Sequence, residues 1–168
     1  DGNQQTWNMD GGDDLLEKYD ELDPRFAQTI AAHGANWNTE IGILNFLPGG
    51  AHNVANDKTK HLVRKWVPRV LRATNMDWIV FRVAELYLNY AEALNEYYET
   101  PPKEAFDAVL KVRERSGMPG FPSTLNKEQF REKLRRERAV ELAYEDHRFW
   151  DIRRWLIADD EGVMKGAM

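Results

Sequence analysis

The chain has 168 residues, of which 42% are hydrophobic and 30% are charged, so it is long and apolar enough for one ordinary folded domain. It contains no cysteine, which excludes disulfides, thiolate metal sites and a cysteine nucleophile. The formal net charge of −5 argues against a nucleic-acid partner, and no stretch approaches the ~20 apolar residues of a membrane-spanning helix.

The two ends of the sequence favour a processed chain or an excised fragment. The sequence opens on DGNQQTW, with neither an initiator methionine nor a signal region. It stops at Gly166-Ala167-Met168 without a closing helix or cap. We therefore expect the chain to be part of a longer protein.

Residues 1–76 are predicted to form a loop-rich segment. They hold seven of the eleven glycines, and they show no sustained hydrophobic period apart from a short helix predicted over 14–22. A short strand is predicted over 61–67. An irregular stretch of this length is usually functional or packs against neighbours outside it.

Residues 77–168 are predicted to be the helical segment of the same domain. The first helix ends at Thr100-Pro101-Pro102, because proline disfavours helical geometry in the residue before it. The small residues Ala84, Ala91 and Ala93 would let a neighbouring helix approach closely. Apolar residues recur at steps of three and four along this helix, which places them on one face. They are Ile79, Val83, Leu86, Tyr87, Tyr90, Leu94 and Tyr97.

Three more helices are predicted, and together they indicate the fold class. The second spans 103–115, is closed by Ser116-Gly117 and buries Phe106, Val109 and Leu110. The third follows Leu125, with Asn126 and Gln129 at the spacing of a capping box, and buries Phe130, Leu134 and Leu142. The fourth spans 148–158 and carries Phe149, Trp150, Ile152 and Trp155. Two short-linked hairpins predict a mainly α fold of tetratricopeptide-like antiparallel helix pairs with long irregular loops.

Ionisable side chains occupy positions of the third helix where its apolar period would continue. These are Glu137, Arg138 and Glu141, and the fourth helix adds Arg148 and Asp151 within reach of an antiparallel packing. Two glutamates four residues apart suit the acid/base pair of a glycosidase. Neighbouring arginines, however, would keep both carboxylates ionised, which does not suit a general acid. We therefore favour a structural charge network that holds the helices together.

Two tryptophans lie in segments whose composition suits sugar binding, which needs flat apolar faces beside amide and carboxylate groups. Trp37 is flanked by Asn36 and Asn38 in the glycine-rich part, and Trp7 lies near glutamine and asparagine residues. The alternative is that each tryptophan anchors its loop, and the sequence leaves both hypotheses open. The remaining tryptophans follow strand or helix periods and are predicted to be core residues, namely Trp66, Trp78, Trp150 and Trp155.

Motifs for other site chemistries are missing from the sequence. The four histidines have no metal-ligand spacing, and the aspartates of residues 10–14 lack the order of a calcium loop. Neither a phosphate-binding glycine loop nor a serine nucleophile elbow is present. We therefore expect no metal and no cofactor.

Five segments, in sequence order, carry a family resemblance. They are DPRF at 23–26, VRKWV at 63–67, RVAELYLNYAEALNE at 82–96, VRERSGMP at 112–119 and RRERAVELAYEDHRFWDIRRW at 135–155. Together they resemble the SusD/RagB family, and the last segment is the most specific. Family members are several hundred residues long, with an N-terminal lipidated cysteine and a C-terminal segment beyond the final Arg-Trp region. The resemblance therefore covers only the later part of such a protein.

The resemblance implies a function as well as a fold. Members are cell-surface lipoproteins of Bacteroidetes that bind glycans beside a TonB-dependent outer-membrane transporter, and their mostly helical fold has tetratricopeptide-like helix pairs. It implies a non-catalytic component of polysaccharide uptake that binds a glycan or other nutrient oligomer and partners a SusC-like transporter. It also implies an outer-membrane, cell-surface location through an N-terminal lipid anchor outside this chain.

Two other functions remain open from the sequence. A helical-repeat scaffold would bind only proteins, and exposed tryptophans within the first 76 residues would argue against it. A glycoside hydrolase would require two carboxylates that face a shared cleft, about 5–10 Å apart. We rank the glycan-binding component first, the scaffold second and the enzyme third.

Overall fold

The computed structural model describes residues 19–53, 59–67, 79–160 and 163. These residues form two compact units that divide between Ile79 and Val80. We name them the loop unit, up to residue 79, and the helical unit, from residue 80 onward. The boundary predicted between residues 76 and 77 lies within a stretch outside the described residues, as does most of the helix predicted over 14–22.

Among its described residues the loop unit contains one complete short helix and one two-stranded antiparallel sheet, and residues 19 and 20 are also helical. The elements are α1 (Phe26–Thr29), β1 (Ile30–Ala31) and β2 (Leu62–Val63). Ile30 pairs with Val63 and Ala31 with Leu62, so the strand predicted over 61–67 is present but only two residues long. Its small core consists of Ala31, Leu44 and Phe46.

A tight backbone hairpin over residues 35–44 packs on this core. The Trp37 N–H donates to the Gly42 carbonyl at 2.8 Å, and the Leu44 N–H donates to the Ala35 carbonyl at 2.9 Å. Gly42 has φ +71°, which a glycine adopts without the steric cost that other residues have there. The glycine therefore allows the turn that brings Trp37 back over the core.

The helical unit has four helices among its described residues, as the sequence predicts. Helix α2 contacts both α3 and α4. The mainly α, tetratricopeptide-like fold class is confirmed. The elements are α2 (Val83–Tyr97), α3 (Lys103–Glu114), α4 (Lys127–Glu141) and α5 (His147–Arg154).

The core of the helical unit is built mainly from α2, α3 and α4. Phe130 of α4 is fully buried, and its ring meets those of Phe106 and Phe121 edge-on, at centroid distances of 4.9 and 5.6 Å. Edge-to-face aromatic pairs add to the free energy gained from burial. The burial predicted for α4 is confirmed at its three predicted core positions, Phe130, Leu134 and Leu142.

Residues close in sequence determine the start of α4 and the turn after α3, as predicted. The Asn126 side chain accepts the Gln129 N–H at 2.9 Å, and the Gln129 side chain accepts the Asn126 N–H at 3.1 Å. This reciprocal capping box satisfies two backbone donors at the start of α4. Gly117 closes the turn after α3, because its φ of +72° lets the Met118 N–H donate back to the Arg113 carbonyl.

The apolar face predicted for α2 is mostly exposed, contrary to expectation. Helix α2 instead buries Leu88, Ala91 and Asn95, while Tyr90 is 52% and Tyr97 80% exposed. The small side chain of Ala91 lets α3 and α4 approach on its side, so the bulkier stripe faces away. Leu110 of α3, also predicted to be buried, is 36% exposed.

Non-glycine residues with left-handed backbone lie on both sides of α5. Tyr144 and Asp146 precede it with φ of +62°, and Leu156 follows it with φ of +56°. This conformation costs roughly 1–2 kcal/mol for a residue with a Cβ atom. The link between α4 and α5 is therefore held by contacts elsewhere in the unit.

Candidate functional site

The charged residues of α4 form buried ion pairs with three other segments. Glu137 accepts a hydrogen bond from Arg113 of α3 at 2.5 Å, and both side chains are buried. The Arg113 Nε also donates to the Pro119 carbonyl at 2.6 Å. A buried carboxylate needs such charge-assisted partners, because burial without them is strongly unfavourable.

Arg138 joins α4 to α5 and α2. Its Nε and Nη2 donate to the two oxygens of Asp151 at 3.1 and 3.0 Å, and its Nη1 donates to Asn89 Oδ1 at 2.6 Å. The Arg138 and Asp151 side chains are only 3% and 6% exposed. This bidentate geometry fixes the angle of α5 as well as its distance from α4.

Glu141, the last residue of α4, pairs with arginines at the start of α2 and the end of α3. It accepts from Arg82 Nη1 at 2.5 Å and from Arg115 Nη2 at 2.6 Å. Arg82 also reaches Glu145, at 2.7 Å. Burial alone would lower the pKa of Arg82, but its hydrogen bonds to these two glutamates outweigh that effect and raise it.

The structure brings together four of the five residues expected in the charge network, but not Arg148. Glu137, Arg138, Glu141 and Asp151 are buried and paired with arginine or aspartate partners. Arg148 is exposed, and no ion pair joins it to another described residue. Arg148 lies in the first turn of α5, and side chains of a helix tilt towards its start. The Arg148 side chain therefore points away from the part of α5 that is buried, Asp151 and Ile152.

The candidate glycan-binding residues of the loop unit have different surroundings. Asn38 is buried, and its Oδ1 accepts the backbone N–H groups of Glu40 and Ile41 at 3.1 and 2.8 Å, which is an Asx turn. Asn36 is exposed beside the bridge to Ile43. Trp7 lies outside the described residues.

Trp37 is half-buried, and it packs on the core of the loop unit. The Arg64 guanidinium lies 5.3 Å from its ring centroid, at cation–π distance. Its immediate neighbours in sequence are both asparagines, so its apolar partners come from elsewhere in the fold. The hairpin supplies partners from across the turn.

A cleft of about 590 Å³ lies between α2 and α5 in the helical unit. One wall is Trp150, which is 64% exposed and so is not the core residue that its helical period predicted. Facing it are four polar residues of α2 at helical spacing, Glu85, Asn89, Glu92 and Glu96. The helical spacing of these four residues can be read from the sequence, but their position in one cleft with Trp150 cannot. The remaining lining residues are Ala93, Arg138, His147, Asp151 and Arg154.

Most charges around this cleft are paired. Glu92 accepts from Arg154 Nη2 and from the indole N–H of Trp155, both at 2.7 Å. Hydrogen bonds from Arg131 lower the pKa of Glu96, against the opposing effect of burial. Glu85 has a looser neighbour, the His147 Nε2 at 3.6 Å. Most of the carboxylates around the cleft therefore already accept hydrogen bonds from side chains of the unit.

Two further features can be stated for the part of the chain that the structure describes. No group of three or more histidine, aspartate or glutamate side chains there could hold a metal ion. None of its helices is long and apolar enough to cross a membrane.

Comparison with known proteins identifies the family. The chain matches the SusD family (SusD/RagB) over residues 1–166, and it belongs to that family. It is 42% identical over 85 residues to SusD-like protein P25 of Formosa agariphila and 34% identical over 84 residues to SusD-like protein P38 of the same organism. These matches cover 49% and 45% of this chain but only 16% of each relative.

Solved structures support the same assignment. A SusD-like protein from Bacteroides fragilis is similar with a TM-score of 0.69 and 32% identity, over 87% of this chain and 30% of that one. A SusD homolog from Bacteroides thetaiotaomicron has a TM-score of 0.63 and 30% identity, over 84% and 31%. SusD-like proteins are generally non-catalytic binding proteins, and they are typically outer-membrane lipoproteins.

Proposed function

We propose that the protein containing this chain is a non-catalytic, cell-surface component that binds a glycan or other nutrient oligomer. It works with a SusC-like TonB-dependent transporter and is attached to the outer membrane by an N-terminal lipid anchor. The observation that carries the proposal is the family match over residues 1–166. The arginine pairs of Glu137 and Glu141 support a non-catalytic function, because both carboxylates are buried against arginines and neither lines the cleft between α2 and α5.

Within the loop unit we propose that Trp37 and the flanking Asn36 and Asn38 contribute to the glycan contact, with Trp7 as a further contributor. Asn36 is exposed on the hairpin, and the half-buried Trp37 ring retains some accessible surface. Asn38 shapes the turn through its side-chain oxygen, so its contribution is to the position of the hairpin.

Affinity electrophoresis of the full-length protein against plant, fungal and host glycans tests this function. We expect retention by at least one glycan and no release of reducing sugar from it. The absence of any binding would contradict the proposal, and so would sustained turnover that disappears in Glu137→Gln or Glu141→Gln.

Trp37→Ala tests the hairpin itself. We expect it to weaken glycan binding by roughly 1–3 kcal/mol, on the scale of aromatic stacking against a nucleobase. Because Trp37 packs on the core, we also expect a lower melting temperature. Ile43→Ala, on the exposed opposite strand of the hairpin, is the matched control and should bind normally. A loss of stability with unchanged affinity would show that Trp37 only anchors its loop.

The protein-interaction scaffold is the second candidate, and one observation favours it. The apolar stripe of α2, which includes Val83, Tyr90 and Tyr97, is exposed along the helix, and an exposed apolar face is typical of a protein-interaction surface. Absence of glycan binding across the panel would favour this candidate.

A further inference from the structure

Trp150 is the only exposed tryptophan among those that the structure describes. Its side chain is 64% exposed, whereas Trp37, Trp66 and Trp155 are half-buried. Stacking on a sugar ring requires one open face of the indole, with its other side supported. Phe149 contacts the Trp150 ring edge-on at a centroid distance of 5.1 Å, which supports the indole within α5.

Two polar side chains of α2 face the cleft beside Trp150 and keep hydrogen-bonding capacity. Asn89 uses its Oδ1 to accept from Arg138, and within the described residues no group accepts from its Nδ2. The Glu85 side chain is 15% exposed, and its neighbour in the described part of the chain is the His147 ring, whose Nε2 lies 3.6 Å away. A carboxylate and an amide donor on one wall suit neighbouring hydroxyl groups.

The charge around the cleft discriminates between classes of sugar. The lining contains four carboxylates, but only two guanidinium groups, those of Arg138 and Arg154. The carboxylates outnumber the cationic side chains even when His147 is counted among these, so the lining carries a net negative charge. Both guanidinium groups are already paired with carboxylates of the lining, so uronate or sulfate groups would meet repulsion there. Neutral sugars avoid this repulsion.

We propose that the cleft between α2 and α5 is a second glycan contact, separate from the Trp37 hairpin, and that it takes a neutral sugar residue. The sugar ring stacks on Trp150, and neighbouring hydroxyls donate to Glu85 and accept from the Asn89 amide. This inference rests on the proposed function, because it assigns a second contact to the same glycan-binding activity.

The test uses the full-length protein and a neutral glycan that it retains, together with a carboxylated or sulfated derivative of the same backbone. Trp150→Ala should weaken binding of the neutral glycan roughly 5- to 150-fold, the equivalent of one aromatic stacking contact. Trp150→Phe should retain part of the affinity. Tyr97→Ala removes an exposed aromatic side chain of α2 that lies outside the cleft, and this variant should bind as the wild type does.

The charge of the cleft is tested separately. Glu85→Gln should reduce the preference for the neutral glycan over its acidic derivative, because it removes one repulsive charge and keeps the side-chain size. Circular dichroism and thermal melts of each variant confirm that the fold is retained. An unchanged preference would contradict the proposed position of Glu85 against the sugar.

The outcomes separate this inference from the function on which it rests. If the wild type binds no glycan, the proposed function and this inference both fail. If the wild type binds and Trp37→Ala weakens binding, but both Trp150 variants bind as well as Tyr97→Ala, only the second contact fails. Loss of affinity in Trp150→Ala with a wild-type fold supports it.

Discussion

Arg138→Ala should be among the most destabilising single substitutions in the helical unit. The change removes three hydrogen bonds, two to Asp151 and one to Asn89, from a side chain that is only 3% exposed. Loss of one partner from a buried ion pair costs about 3–5 kcal/mol. Asp151 Oδ1 keeps the Arg154 Nε at 2.8 Å, so we expect the lower part of this range, about 3 kcal/mol.

Chemical denaturation followed by circular dichroism measures this cost, and thermal melts should show a decrease of about 6–12 °C for a chain of this size. Arg148→Ala is the matched control. It removes the same side chain from an exposed position of α5, so it should cost under about 1 kcal/mol. The sequence alone assigned both arginines to one network, and the structure separates them.

A double substitution tests the ion pair more directly. Arg138→Met with Asp151→Leu replaces the pair by apolar side chains and should recover much of the loss, because no buried charge is left alone. If Arg138→Ala cost less than about 1 kcal/mol, or if Arg148→Ala cost as much, the buried network would not be the source of stability.

Three further predictions concern the helical unit. Asn126→Ala removes the capping box with Gln129 and should lower the free energy of unfolding by about 1 kcal/mol in urea titrations, whereas Asn126→Asp should be nearly neutral. Gly117→Ala forces a Cβ atom into a backbone with φ +72° and should cost about 1–2 kcal/mol by the same measurement; equal stability would contradict the left-handed turn. Because Arg131 lowers the pKa of Glu96 below the usual 4.5, their ion pair contributes at neutral pH and is lost as the pH falls through that lowered value. The difference in stability between wild type and Glu96→Gln should therefore be under about 1 kcal/mol at pH 7 and should shrink as the pH falls below the usual pKa of the carboxyl; a difference that stays constant throughout an acid titration would contradict it.

Local signals allowed much of the helical unit to be predicted from sequence. The capping box of Asn126 and Gln129 depends on residues three apart, and the burial of Phe130 follows from helical spacing within α4. The face of α2 could not be predicted in the same way. Tyr90 and Ala91 lie on different faces of α2, and either face could pack against another helix. Helices α3 and α4 lie against the face that carries Ala91, and the sequence does not show this.

The candidate sites were harder to predict because they depend on contacts across the chain. Trp37 has polar neighbours in sequence, yet the hairpin folds it onto Leu44 and Phe46. Trp150 follows a helical period, yet α5 buries the next two residues, Asp151 and Ile152, and leaves Trp150 on its exposed side. Composition indicated which residue types suit sugar binding, whereas exposure depends on tertiary packing.

The strained ends of α5 have a consequence for motion. This helix has only eight residues, it buries Asp151 and Ile152 alone, and left-handed residues lie on both sides of it. The free energy needed to detach such a helix locally is lower than the free energy of unfolding of the whole unit. Its detachment would move Trp150 away from α2 and abolish the cleft. The measured affinity for a ligand in the cleft then equals the intrinsic affinity multiplied by the fraction of molecules in which α5 is packed. A bound sugar would in turn slow hydrogen exchange at the amides of α5, while the amides of α3 and α4 would exchange as before.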